Sequence, residues 1–159
     1  MTNSSEIKFG EIVMPHYQGV YGSTHRLTLD WCVRGELPDG RRFALIVRAG
    51  FAFDGASIPR WLWRVCGHPL EVPRVAAALA HDWLYAAHVC DRATADAIYK
   101  AIMLAVGISS WRASIEHAAL RCCGAKAYRD RTTGGIELAR QRGSIIITPS
   151  QNPTHKEAA

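Results

Sequence analysis

Ala76-Ala77-Ala78-Leu79-Ala80-His81-Asp82-Trp83-Leu84-Tyr85-Ala86-Ala87-His88-Val89 reads as a helix that is apolar nearly all the way round. Pro73 stands just ahead of it, where the first turn of a helix tolerates a missing N–H. A helix without a polar face predicts a central, buried element. Set inside it are two ionisable neighbours, His81 and Asp82, about 100° apart around the helix axis. A buried charge without a partner is costly, so Asp82 must be paired, protonated or bound to a cation.

Downstream of this helix, Asp91 reads as the N-cap of a second one that runs to about Ala105 and stops near Gly107. Ser109 or Ser110 then caps a third, reaching about Ala127. Upstream, Arg26 to Arg34 alternates strictly, with Leu27, Leu29, Trp31 and Val33 on one face of a half-buried strand. Leu37-Pro38-Asp39-Gly40 supplies a turn, and Arg42 to Arg48 resumes the alternation with Phe43, Leu45 and Val47, which predicts an antiparallel hairpin. Gly50 to Arg60 breaks the alternation with two glycines and a proline and reads as a loop able to present Asp54 at the mouth of a site. The predicted fold is therefore α+β: an N-terminal antiparallel hairpin or small sheet packed on a C-terminal three-helix unit with a central buried His-Asp helix. Residues 1–19 form an irregular lead-in and 20–128 a single domain. Residues 129–159 form a basic, partly disordered tail whose Ile145–Ile147 segment adds either to the domain's own sheet edge or to a neighbour's.

At 159 residues and 48% apolar content, the chain is long enough to bury one core. No run approaches the roughly 18 to 20 apolar residues that a membrane span needs, and the N-terminal order is not that of a secretory signal, so a soluble chain is expected. Five cysteines without C-x-x-C spacing argue against a zinc ribbon and read more naturally as buried thiols of a reducing compartment than as a disulfide framework. A net charge of +5 favours acidic partners without naming one. Nucleic acid is disfavoured, because the basic residues between 126 and 142 come with few aromatics and with Asp130 and Glu137. No H-E-x-x-H, Walker loop or dinucleotide fingerprint occurs.

The chemically loaded residues are His81, Asp82, Tyr85 and Asp96, with Asp54 upstream. On one reading His81 is a general base, Asp96 accepts its Nδ1 proton and fixes the tautomer, Tyr85 hydrogen-bonds Asp96, and Asp82 with Asp54 ligates a hard divalent cation such as calcium. On the other, His81 and Asp82 form a buried polar clamp that ties the helix to the Asp54 loop through Arg60 or backbone donors, Asp96 is a first-turn acid that interacts with its helix dipole, and Tyr85 simply packs. Arg92 is either a salt-bridge partner of one of these acids or a solvated cation. Ser57 lacks the G-x-S-x-G setting of a nucleophile and reads as a loop hydroxyl. On the third helix, Ser114, His117 and Arg121 are expected on a solvated face opposite Trp111, Ile115, Ala119 and Cys122.

Taken together, Gly50-Phe51-Ala52-Phe53-Asp54-Gly55-Ala56-Ser57-Ile58-Pro59-Arg60 and His81-Asp82-Trp83-Leu84-Tyr85, with Arg92 and Ala95-Asp96, resemble a small phage and prophage family without an assigned function, over about residues 25–125. The helix pair is also similar, over about 50 residues, to the calcium-dependent secreted phospholipases. That likeness implies His81 as general base, Asp82 as calcium ligand, Asp96 as orienting acid and the Asp54-Gly55 loop in the place of a calcium loop. The cysteines and the loop depart from that pattern. Two functions are expected from these readings. One is a metal-assisted hydrolase of a lipid, ester or cell-envelope bond; the other is a virion or tail-assembly component docking through its C-terminal tail. In both cases the chain is made in the host cytoplasm, with incorporation into the virion as a further destination.

Overall fold

A computed structural model of the protein describes residues 12–21, 24–54 and 72–150. The strands are β1 (Tyr17–Tyr21), β2 (Thr24–Leu27), β3 (Trp31–Glu36), β4 (Arg42–Val47) and β5 (Ala52–Phe53). The helices α1 (Val75–Ala87), α2 (Arg92–Ala105), α3 (Ser110–Cys123), α4 (Ala125–Arg129) and α5 (Thr133–Arg140) follow, and β6 (Gly143–Thr148) comes last. Among the described residues these strands form two three-stranded antiparallel sheets, ordered β1-β2-β5 and β3-β4-β6. The fold is α+β, with a buried His81–Asp96 pair between its helices.

The hairpin forms where the turn chemistry places it. Gly40 takes the positive φ of 79° that a Cβ would disfavour, its N–H donates to the Leu37 carbonyl, and Asp39 accepts from the Arg41 N–H. Phe43, Leu45 and Val47 point into the core together with Trp31 and Val33. The long strand expected over 26–34 is instead two strands in different sheets. Leu27 and Trp31 are buried, but Leu29 between them is 57% exposed. The interruption has local causes: the Asp30 carboxylate accepts the Ala49 N–H at 2.8 Å, and the Thr28 N–H is drawn to the His16 carbonyl. Hydrogen bonds to sequence-distant groups override a two-residue period that has no knowledge of them.

Helix α1 is buried on all sides, as its composition predicts, with every residue from Val75 to Tyr85 in the core. It packs against α2 and α5 and touches β4 and β5. Asp91 caps α2, its carboxylate accepting from the Thr94 N–H at 2.9 Å. The third helix ends at Cys123, short of Ala127, at a buried Gly124 where a Cβ would meet the Tyr85 hydroxyl.

The expected face of α3 is rotated, although Ser114 is exposed and Ala119 packs against the core as expected. Ala113, Glu116 and Leu120 are its buried residues, whereas Trp111 is 53% exposed and Ile115 and Cys122 also face outward. Ion pairs set the rotation. Glu116 pairs with Arg74 at 3.0 Å and accepts from the Tyr99 hydroxyl at 2.6 Å, all within the core. A buried carboxylate that would otherwise stand uncompensated outweighs an indole left at the surface.

The basic C-terminal region carries α5 and β6. Of the two placements open to Ile145–Ile147, the strand takes the edge of its own sheet, pairing Leu45 with Ile145 and Phe43 with Ile147. Of the cysteines, Cys122 and Cys123 are exposed and Cys32 and Cys90 half-buried, all four as free thiols, so the buried thiols expected from composition are not found among the described residues; Cys66 lies outside them.

Candidate functional site

Helices α1 and α2 set His81, Tyr85 and Asp96 against one another. His81 and Tyr85 are one turn apart on α1, so both reach the same point on α2. Asp96 lies there, fully buried, one turn into its helix. One of its oxygens, Oδ1, takes the Tyr85 hydroxyl at 2.6 Å and stands 3.0 Å from His81 Nε2. The other, Oδ2, accepts from Arg121 of α3 at 2.9 Å, with Arg92 at 3.8 Å. Arg92 is thus both a partner of Asp96 and a cap for α3, since it also donates to the Leu120 and Arg121 carbonyls.

The nitrogen facing Asp96 is Nε2, where the sequence reading expected Nδ1. A histidine rooted mid-helix keeps Nδ1 close to its own backbone and spans to a neighbouring helix with its distal nitrogen. His81 Nδ1 is buried and has no hydrogen-bond partner among the described residues.

Burial opposes the charge on Asp96, but the bonds from His81, Tyr85 and Arg121 outweigh it and hold its acidity constant below the ordinary carboxylate range. Burial pushes His81 the other way, toward the neutral imidazole, against the pull of Asp96. An ionised Asp96 beside a neutral His81 requires the imidazole proton on Nε2, which donates to the carboxylate and leaves a lone pair on Nδ1. Burial, then the neighbouring Asp96 charge, raises the Tyr85 phenol and keeps it a donor.

Asp82 does not join this group. Turned away from its neighbour, it lines a cleft of about 500 Å3 together with Asp54, and its Oδ2 accepts the Asp54 N–H at 3.2 Å. That bond is the backbone-donor clamp foreseen between the helix and the loop. Arg60 and Ser57, named with it, lie outside the described residues. Asp54 and Asp82 are hard oxygen donors on one cavity, a chemistry that suits calcium, which completes its shell from carbonyls and water. Among the described residues no group of three or more His, Cys, Asp or Glu side chains is placed to hold a metal ion.

Three participants escaped the sequence reading. Arg121 was assigned to solvent, and Glu116 and Tyr99 were not singled out, although the Tyr99 ring lies edge-on to His81 at 5.4 Å between centroids. The i, i+3, i+7 spacing of Ala113, Glu116 and Leu120 carried the signal, masked by the charge in its middle.

Fold and site together define a small α+β protein organised around a buried histidine–carboxylate pair shared by two adjacent helices. The chain belongs to a family of proteins of unknown function, DUF1353, whose family model matches residues 27–120. That span takes in His81, Asp82, Tyr85 and Asp96 and stops one residue before Arg121. No curated protein matches the chain, and no solved structure does. Among the described residues no helix is long and apolar enough to cross a membrane.

Proposed function

We propose that the chain is a phage-type hydrolase of an ester or cell-envelope bond in which His81 is the general base. The observation that carries this reading is the state of the imidazole, with Nε2 committed to Asp96 and an Nδ1 lone pair that no described residue engages. A buried acceptor left unmet costs about 1–3 kcal/mol, a cost that a bound water or substrate hydroxyl at Nδ1 would relieve. An oriented histidine with one free nitrogen is the arrangement that draws a proton from water.

Asp96 holds the tautomer, Tyr85 and Arg121 hold Asp96, and Asp82 with Asp54 would hold a divalent cation, calcium by donor type. Such an ion supplies Lewis acidity toward an ester carbonyl. His81 is 1% exposed, so the chemistry requires the packing over its ring to part when substrate binds. The phage origin rests on the paired loop and helix motifs, and implies synthesis in the host cytoplasm.

A panel of carboxylic esters, phospholipid vesicles and peptidoglycan, each with and without millimolar calcium, tests the reading. Turnover should fall at least about 100-fold in His81→Asn and in Asp96→Asn, the range general-base catalysis contributes. Calcium should raise the melting temperature of the wild type and not that of Asp82→Asn. Equal turnover in wild type and His81→Asn would sink the assignment.

A second reading makes the same network a lock in a virion or tail-assembly component. What favours it is the free outer edge of β6, the last strand of its sheet among the described residues. It expects wild type and His81→Asn to co-sediment equally with virions and neither to hydrolyse anything in the panel.

A further inference from the structure

The cleft that contains Asp54 and Asp82 has a second, opposite character. Its far wall is built from the C-terminal segment, which brings Arg131, Leu138 and Arg142 to face the loop after β4 and strand β5. Arg131 makes no ion pair or hydrogen bond among the described residues. Arg142 is anchored, since one guanidinium nitrogen donates to the Ala49 carbonyl at 3.1 Å. Space for it is kept by Gly50, where a Cβ would stand 2.9 Å from that same nitrogen. Gly50 also has a φ of 89°, so this backbone is shaped in two ways that exclude a side chain at the arginine's seat.

A guanidinium carries five donors, and anchoring one leaves the rest for a ligand. Asp54 and Asp82 supply counter-charge on the same cleft, but neither guanidinium is ion-paired with them, and a phosphate or carboxylate matches the planar fork each presents. Beside them the wall is apolar, with Phe51, Phe53 and Leu138, the last 66% exposed. A solvated leucine next to two cations is a poor surface for water alone and a good one for an alkyl stem.

We propose that this cleft binds a small organic anion, a phosphate or carboxylate attached to a short apolar segment, with Arg131 and Arg142 as the anion-binding residues and Leu138 against the stem. This goes beyond the hydrolase reading and does not rest on it, because His81 does not line the cleft.

Calorimetric titration of the full chain with four probes tests it: hexyl phosphate, hexanoate, inorganic phosphate and hexanol. Hexyl phosphate, hexanoate or both should bind at least tenfold more tightly than inorganic phosphate and hexanol. Binding should weaken with added salt, fall at least tenfold in Arg131→Ala and in Arg142→Lys, and persist in His81→Asn. Arg131 is exposed, so its replacement leaves the fold standing. Absence of binding by both hexyl probes would overturn the proposal, as would hexanol binding as well as they do or undiminished affinity in Arg131→Ala/Arg142→Lys. If the hexyl anions bind and no substrate in the panel is turned over, the anion site stands and the hydrolase falls. Turnover without anion binding has the reverse meaning.

Discussion

Asp96 decides which protons the site can hold. Its carboxylate is kept ionised by three donors, and the neutral imidazole beside it is kept so by burial. The two groups leave separate marks on stability. With its folded value depressed below 6.5, His81 takes up a proton in the unfolded chain before it does in the native one. Stability is therefore full above about pH 6.5 and declines as pH falls below it, by up to about 1.4 kcal/mol per pH unit for one proton. Asp96 contributes above its unfolded value near 3.8 and loses that contribution only as pH falls further, through its lower folded value. Urea unfolding of wild type at pH 7.5, 6.0 and 5.0 should show the decline, and His81→Gln should flatten it even if that variant is less stable throughout. Because the chain has seven histidines, the diagnostic is the difference in slope, and parallel profiles would contradict a buried neutral His81. At this scale the identities of the central residues were legible in the sequence, since ionisable residues in an otherwise apolar helix need partners to offset their burial. Which nitrogen faces the carboxylate, and that Asp82 leaves the group, were not, because both depend on the rotation of α1 against neighbours far along the chain.

Helix α1 and the β3–β4 hairpin were readable because their signals are local: composition with a preceding proline in one case, alternation around a turn in the other. Strand β2 and helix α3 were misread for the converse reason. The Asp30 and His16 bonds split a continuous alternation, the Glu116–Arg74 pair turned the buried face of α3 away from Trp111, and each of those partners lies 12 or more residues away. Strand β6 shows how tightly such distant elements fit. A Cβ on Gly143 would stand 2.6 Å from the Trp83 ring and against the Ile46 carbonyl, so the strand approaches α1 and β4 only because residue 143 has no side chain. The prediction at this scale is that Gly143→Ala costs about 1–3 kcal/mol, the usual range for overpacking, measured by chemical denaturation. An unchanged midpoint would mean that β6 is held more loosely than its register indicates.

For the molecule as a whole, the C-terminal segment closes the structure. Trp83, wholly buried, donates its indole N–H to the Ala139 carbonyl at 2.9 Å, and Arg140 donates to the Ala87 and His88 carbonyls at the end of α1. Arg142 reaches back to Ala49, and β6 completes the second sheet. These contacts make residues 132–150 part of the folding unit, so a chain ending at Arg131 should lose far more than an appendage. Full burial of a tryptophan removes roughly 150–250 Å2 from water, worth about 4–6 kcal/mol at ~25 cal/mol/Å2, and truncation uncovers part of that along with an unmet indole donor. Against a typical domain stability of about 5–15 kcal/mol, the truncated chain should unfold at much lower urea or lose its cooperative transition. Circular dichroism across a urea series checks this, and a truncated chain with the wild-type midpoint would restore the segment to the status of a separate tail. The same contacts dictate how docking to a virion must be probed. Truncation would abolish binding by unfolding the domain, whatever its surface does, so the informative change is one that leaves the core alone. Ile146, 65% exposed on β6, meets that condition, and Ile146→Lys should abolish an edge-strand interface while leaving the urea midpoint within about 0.5 kcal/mol of wild type.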